Sequence, residues 1–174
     1  RQAVELFGRG DYGEFNAQPS FETGRLLAKA DIFAGNSIYE VKGANSAKPE
    51  YAHDLAFQRV VAEMAGTQIE RTFLVHLNKE YVRSGEIDPA QLLTITDMTA
   101  EVDAILPATR ESIEAALAYL DGAEPDTGIE GYCKSRKLDC EFIRHHHKDL
   151  PEYTIFNISR LSADKIADLL AEGI

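Results

Sequence analysis

Hydrophobic and polar positions along the chain divide it into segments with different periods. Ser46–Gly66 has apolar residues at Leu55, Phe57, Val60, Val61 and Met64, with Pro49 near its start and Gly66 at its end. That pattern predicts a helix with a glycine C-cap. Thr99–Leu120 repeats the helical spacing through Val102, Ile105, Leu106, Ile113, Leu117 and Leu120, with Pro107 inside as a point where it would kink or divide. Gln68–Leu77 alternates as a strand does, with Ile69, Arg71, Phe73, Val75 and Leu77 assigned to one side. Upstream, Arg25–Ala34 and Ser37–Ala44 are β-prone runs separated by Gly35-Asn36, a pair suited to a two-residue hairpin turn. Residues 8–24 read as a loop, Asn78–Asp88 as a polar turn, and Ser162–Leu170 as a short amphipathic helix. The order strand, strand, helix, strand, helix predicts an α/β fold with a mixed central β-sheet flanked by helices.

Size and composition narrow the class. At 174 residues, 44% hydrophobic and 27% charged, the chain fits one globular domain, or one with a small appendage. No apolar run approaches the roughly 18 residues of a membrane span. The start, RQAVELFGRG, has no apolar signal-peptide core and begins with Arg, so the chain reads as an interior piece of a longer protein, expected in the cytoplasm. Two cysteines are too few for a disulfide framework. A net charge of −11 counts against a nucleic-acid module of the basic-patch kind. It weighs less against a metal-dependent nuclease, where acidic side chains hold the cation.

The hairpin brings chemistry with it. With Gly35-Asn36 as the two-residue loop, Ala34 faces Ser37, and counting outward sets Asp31 opposite Glu40. Directly opposed residues have Cβ atoms about 4.5–5.5 Å apart. Two carboxylates at that separation repel unless a cation lies between them. The period of two puts Lys42 on Glu40's face and turns Val41 toward the core, leaving the Val41 carbonyl beside the acids. Such a set of oxygens suits Mg²⁺ or Mn²⁺, with the lysine orienting or deprotonating a water and stabilising charge on a phosphate. The plainer reading of the same residues is a solvated sheet face with Lys42 and Lys29 as salt-bridge partners.

The run ADIFAGNSIYEVKGANSAKPEYAHDLAFQRVVAEMAG, followed by FLVHLNKEYVRSGEID and GYCKSRKLDCEF, resembles RecB-like nucleases of the PD-(D/E)XK superfamily, specifically one bacterial branch. The likeness extends from about Leu26 to the C-terminus. It implies a restriction-endonuclease-like core over residues 1–125 and a Cys/His-containing segment with a helical extension over 126–174. It also implies that Asp31 and Glu40, with the Val41 carbonyl, are metal ligands. Lys42 would be the catalytic lysine and Gln58 the glutamine of the following helix. The activity implied is Mg²⁺- or Mn²⁺-dependent hydrolysis of DNA by water, with membership of a larger nucleic-acid-processing assembly as an associated expectation. The alternative is a catalytically inactive nuclease-like module that binds nucleic acid or a partner protein. Two features favour it: Ala62 stands where the family often has tyrosine, and the acid or histidine that the superfamily usually supplies from an upstream helix has no aligned counterpart, Glu5 in RQAVELFG being the one helix-like candidate.

Relatives of this kind also carry four cysteines around an iron–sulfur cluster. Here Cys133, Cys140 and His146 fall at the C-terminal positions, and the upstream cysteine is absent from the chain. A zinc site at Cys133, Cys140 and His146 is a second reading, and a loop with free thiols and exposed histidines a third. His53 and His76 are read as structural or exposed and left outside the site.

Overall fold

The Gly35-Asn36 turn forms as expected, with φ of +52° and +56°, values that glycine and asparagine adopt at least cost. It joins β4 (Ile32–Ala34) to β5 (Ser37–Val41) in the expected antiparallel register, Ala34 facing Ser37 and Ile32 facing Tyr39. The computed structural model describes residues 1–10, 12–123, 145 and 148–173. They belong to two compact units, Arg1–Asp121 and Gly122–Ile174. Cys133, Cys140 and His146 lie outside the described residues.

In the first unit, β1 (Phe15–Ala17), β4, β5, β6 (Arg71–Leu77) and β7 (Leu93–Asp97) form one sheet in the order β1-β4-β5-β6-β7. β5 and β6 run parallel and the other pairs antiparallel, so the sheet is mixed. The parallel pair needs a crossover, supplied by helix α2 (Tyr51–Met64). α2 packs against the long helix α4 (Thr99–Asp121). This is the expected α/β architecture at the level of a mixed sheet with flanking helices.

Each face of the sheet has its own core. Ile38, Leu74, Leu55, Ala56, Val61, Ala62 and Val102 cluster on the side of α2 and α4. Ile32, Ala34, Tyr39 and Val75 cluster with Ala3 and Phe7 of helix α1 (Gln2–Arg9) on the other. β5 is therefore buried on both sides along most of its length, as a central strand should be. Successive residues of β5 alternate between these cores, which decides where its chemistry-bearing side chains go.

Several expectations are corrected. Residues 8–24 are not a plain loop: they hold β1 and β2 (Ser20–Thr23). Arg25–Ala34 is not one run but two strands, β3 (Leu26–Lys29) and β4, on either side of a bend. β2 and β3 pair as a separate two-stranded sheet, and Phe21 and Ala28 carry it onto the α2 side. α2 begins at Tyr51 and not Ser46, because the residue before Pro49 is pushed out of helical backbone. Ile69 belongs to the α2-side core, ahead of the strand, while Phe73 and Val75 face the α1 side. α4 runs unbroken through Pro107, and β7, preceded by the short helix α3 (Pro89–Leu92), is an additional strand.

In the second unit, Ser162 accepts from the Lys165 amide and caps helix α5 (Ala163–Ala171), close to the expected segment. No helix among the described residues is long and apolar enough to cross a membrane.

Candidate functional site

Glu40 occupies the fourth position of the central strand β5 and is 8% exposed. Alternation turns Ile38 and Glu40 toward α2, and Tyr39 and Val41 toward α1. A carboxylate buried there must be hydrogen-bonded or paired. Glu40 Oε2 accepts from Gln58 Nε2 at 2.7 Å, and Oε1 lies 2.8 Å from Lys42 Nζ. Three residues singled out from sequence thus meet: β5 supplies Glu40, the residue just past its end is Lys42, and α2 supplies Gln58.

A fourth residue joins them that sequence reading missed. Asp54 Oδ2 accepts from Lys42 Nζ at 2.7 Å. Asp54 and Gln58 are four apart, one helical turn, so they share a face of α2. That spacing was the available signal. Tyr51, one turn earlier, sets its ring 5.6 Å from Lys42 Nζ. The ammonium is therefore held between a buried carboxylate on the sheet and a half-exposed one on the helix. The Asp54 carboxylate, and after it Glu40, hold the Lys42 amine well above the ordinary lysine range, against a smaller opposing effect of partial burial. In this arrangement Lys42 is a donor and a positive charge.

Asp31 is placed differently. The Lys42 amide donates to the Val75 carbonyl, so the neighbouring Val41 N–H points to the opposite edge of β5. β4 would meet it there, but the chain bends at Ala30-Asp31, where Ala30 N bonds Pro19 O and Gln18 N bonds Asp31 O. The Asp31 carboxylate takes the vacant role and accepts from Val41 N at 2.7 Å. The expected cross-strand meeting of Asp31 with Glu40 is accordingly altered. The paired register stops at Ile32 and Tyr39, and the two carboxylates take different partners. Asp31 lines a cavity of about 400 Å³ with Ala3, Val4, Gln18, Ile32 and Val41. The Val41 carbonyl shares the edge of its own amide, as backbone groups of one strand residue do.

Two further features bear on ligand binding. Gln58 Oε1 is buried and has no hydrogen-bond partner among the described residues, an acceptor left open beside Glu40. No three Asp, Glu, His or Cys side chains among the described residues are gathered closely enough to form a metal cage. Mg²⁺ is ordinarily held by one or two carboxylates plus waters and phosphate oxygens, so such a cage is not what it needs. Asp31, Glu40 and the backbone carbonyl of Val41, which directly follows Glu40 in sequence, are oxygen donors of the kind that ion takes.

The chain matches no family model, no curated protein and no solved structure. His76 is buried with both ring nitrogens in contact: a carbonyl only accepts, so Nδ1 donates to Leu77 O at 3.1 Å, and Nε2 lies 3.0 Å from the Thr96 hydroxyl. His53 lines a separate cavity of about 440 Å³ with Lys48, Thr96, Met98 and Glu101.

Proposed function

We propose that the protein is a RecB-like nuclease of the PD-(D/E)XK type, a Mg²⁺- or Mn²⁺-dependent phosphodiesterase acting on DNA. The observation that carries this reading is the convergence of Glu40, Lys42 and Gln58, with Gln58 2.7 Å and Lys42 2.8 Å from the two oxygens of one buried carboxylate. Residues 18 positions apart, on a strand and a helix, have no local reason to meet.

Glu40 and Asp31, with the Val41 carbonyl, would hold the cation. A bound Mg²⁺ or Mn²⁺ supplies a more acidic water and neutralises phosphate charge. Lys42, kept protonated by its two carboxylates, acts by donation: it orients the attacking water or stabilises the charge that grows on the phosphate oxygens. Gln58 fixes the Glu40 carboxylate through its amide nitrogen, and its buried oxygen can accept from a water in the site. DNA as substrate rests on the family resemblance, since the chain's own charge of −11 offers no general attraction to phosphate.

A second reading has a specific observation behind it: both Glu40 oxygens are already bonded, which suits a settled structural network in a nuclease-like module that binds nucleic acid or a partner protein. Cleavage of single- and double-stranded DNA by the full chain separates the two. The nuclease reading expects cleavage with Mg²⁺ or Mn²⁺, none with a chelator, and a loss of roughly a hundredfold or more in Glu40→Gln and Lys42→Ala variants that still melt cooperatively. Equal cleavage by all three proteins, or none by the wild type, rejects it.

A further inference from the structure

We infer that Asp54 is a positioning residue of this site, holding the Lys42 ammonium at Glu40 from the opposite side. The inference rests on the nuclease reading for its catalytic consequence, though the clamp itself does not.

The geometry gives the reason. Lysine is a compact charge on a flexible four-carbon stem, so one contact does not fix where its nitrogen lies. Lys42 follows the last residue of β5, and its side chain is 26% exposed, with room to swing outward. Glu40 alone would restrain it from the sheet. Asp54 Oδ2 at 2.7 Å and Glu40 Oε1 at 2.8 Å restrain it from two elements. The Tyr51 ring at 5.6 Å adds a third restraint from the same helix as Asp54. Those are the charged and aromatic groups facing the ammonium from β5 and α2. Asp54 is itself 51% exposed at the side chain, so it is poorly placed to stabilise the core. A half-exposed acid aimed at a partly buried lysine contributes little to folding. Its effect is to fix the position of one nitrogen, and misplacement of a catalytic group by about 1 Å can cost a hundredfold in rate.

The test uses the full chain with Asp54→Asn, Asp54→Ala and Asp54→Glu. Lysine ammonium protons give a sharp nitrogen–proton NMR signal only when hydrogen bonds hold them against exchange with water. The Lys42 signal is expected in the wild type, weakened or lost in Asp54→Asn and Asp54→Ala, and partly restored in Asp54→Glu. In the cleavage assay the same two variants should lose roughly ten- to a hundredfold in kcat with KM within about twofold, because the contact acts on the reacting group and not on binding. Melting temperatures should stay close to the wild type. An unchanged Lys42 signal in Asp54→Ala, or unchanged kcat in both neutral variants of an active protein, overturns the inference. Should the wild type cleave nothing, the nuclease reading fails, and the NMR comparison still decides whether Asp54 clamps Lys42.

Discussion

Asp31 serves the fold and, on the proposed function, the chemistry, and two substitutions separate these roles. Asp31→Ala removes the acceptor of the Val41 amide, a contact of 2.7 Å at a half-buried position. A hydrogen bond to a charged acceptor is worth about 1.5–3 kcal/mol. β4 has already turned away, so no strand replaces it, but the adjoining cavity of about 400 Å³ lets water reach the freed amide. The loss should therefore fall toward the lower end, about 1–2 kcal/mol. Asp31→Asn keeps a carbonyl oxygen at the same reach and should cost less than about 1 kcal/mol. Urea unfolding followed by circular dichroism at pH 7 reads both numbers, with equal m-values showing that the unfolded states are alike. In the cleavage assay the order reverses its meaning: Asn preserves the fold yet lacks the negative charge a hard cation prefers, so activity should fall in both variants. If Asn destabilises as much as Ala, the amide contact is not what Asp31 contributes. If Asn is as active as the wild type, its carboxylate holds no cation.

Three other outcomes follow from the fold. Gly35→Val puts a β-branched residue at φ +52° and should cost about 1–2 kcal/mol in the same unfolding assay; a neutral result would mean the turn is not under positive-φ constraint. Asp97 has its carboxyl lowered to about 2, first by the Thr99 hydroxyl and also by the Thr99 amide and Arg71. The stability this gives is present above the ordinary value of 3.8 and is lost as pH falls through about 2. The gap between wild type and Asp97→Asn should therefore narrow between those limits, and a gap independent of pH would contradict it. Arg59 of α2 pairs with Glu63 of the same helix at 2.9 Å and reaches Asp103 of α4 at 2.7 Å, so Arg59→Met should destabilise by about 1–3 kcal/mol in thermal melts, with less than about 0.5 kcal/mol speaking against a coupled network.

The parts legible in the sequence are those set by local rules. Gly35-Asn36 announces its turn and its register because both residues accept positive φ, and α4 declares itself by a repeat maintained over six turns. Gln58 was legible only through the family resemblance, since nothing in the helix pattern distinguishes it. Asp54 could have been found by stepping back one turn from Gln58. Residues 8–24 were not legible, because β1 and β2 are short, interrupted at Gln18-Pro19, and ordered by pairing with β3 and β4. The altered place of Asp31 has the same origin. Counting from the turn assumes a straight β4, whereas the strand bends at Ala30-Asp31 so that Phe21 and Ala28 can reach the core beside α2. Alternation carries no information past a bend.

The proposed chemistry requires a divalent cation at the edge of β5. Crystals of the full chain grown or soaked with millimolar Mn²⁺ and measured at the manganese absorption edge would locate it directly. An anomalous peak is expected about 2.0–2.3 Å from oxygens of Asp31, Glu40 and the Val41 carbonyl, lost in Glu40→Gln. A peak elsewhere, or an empty site with Glu40 still bonded to Lys42 and Gln58, would contradict it.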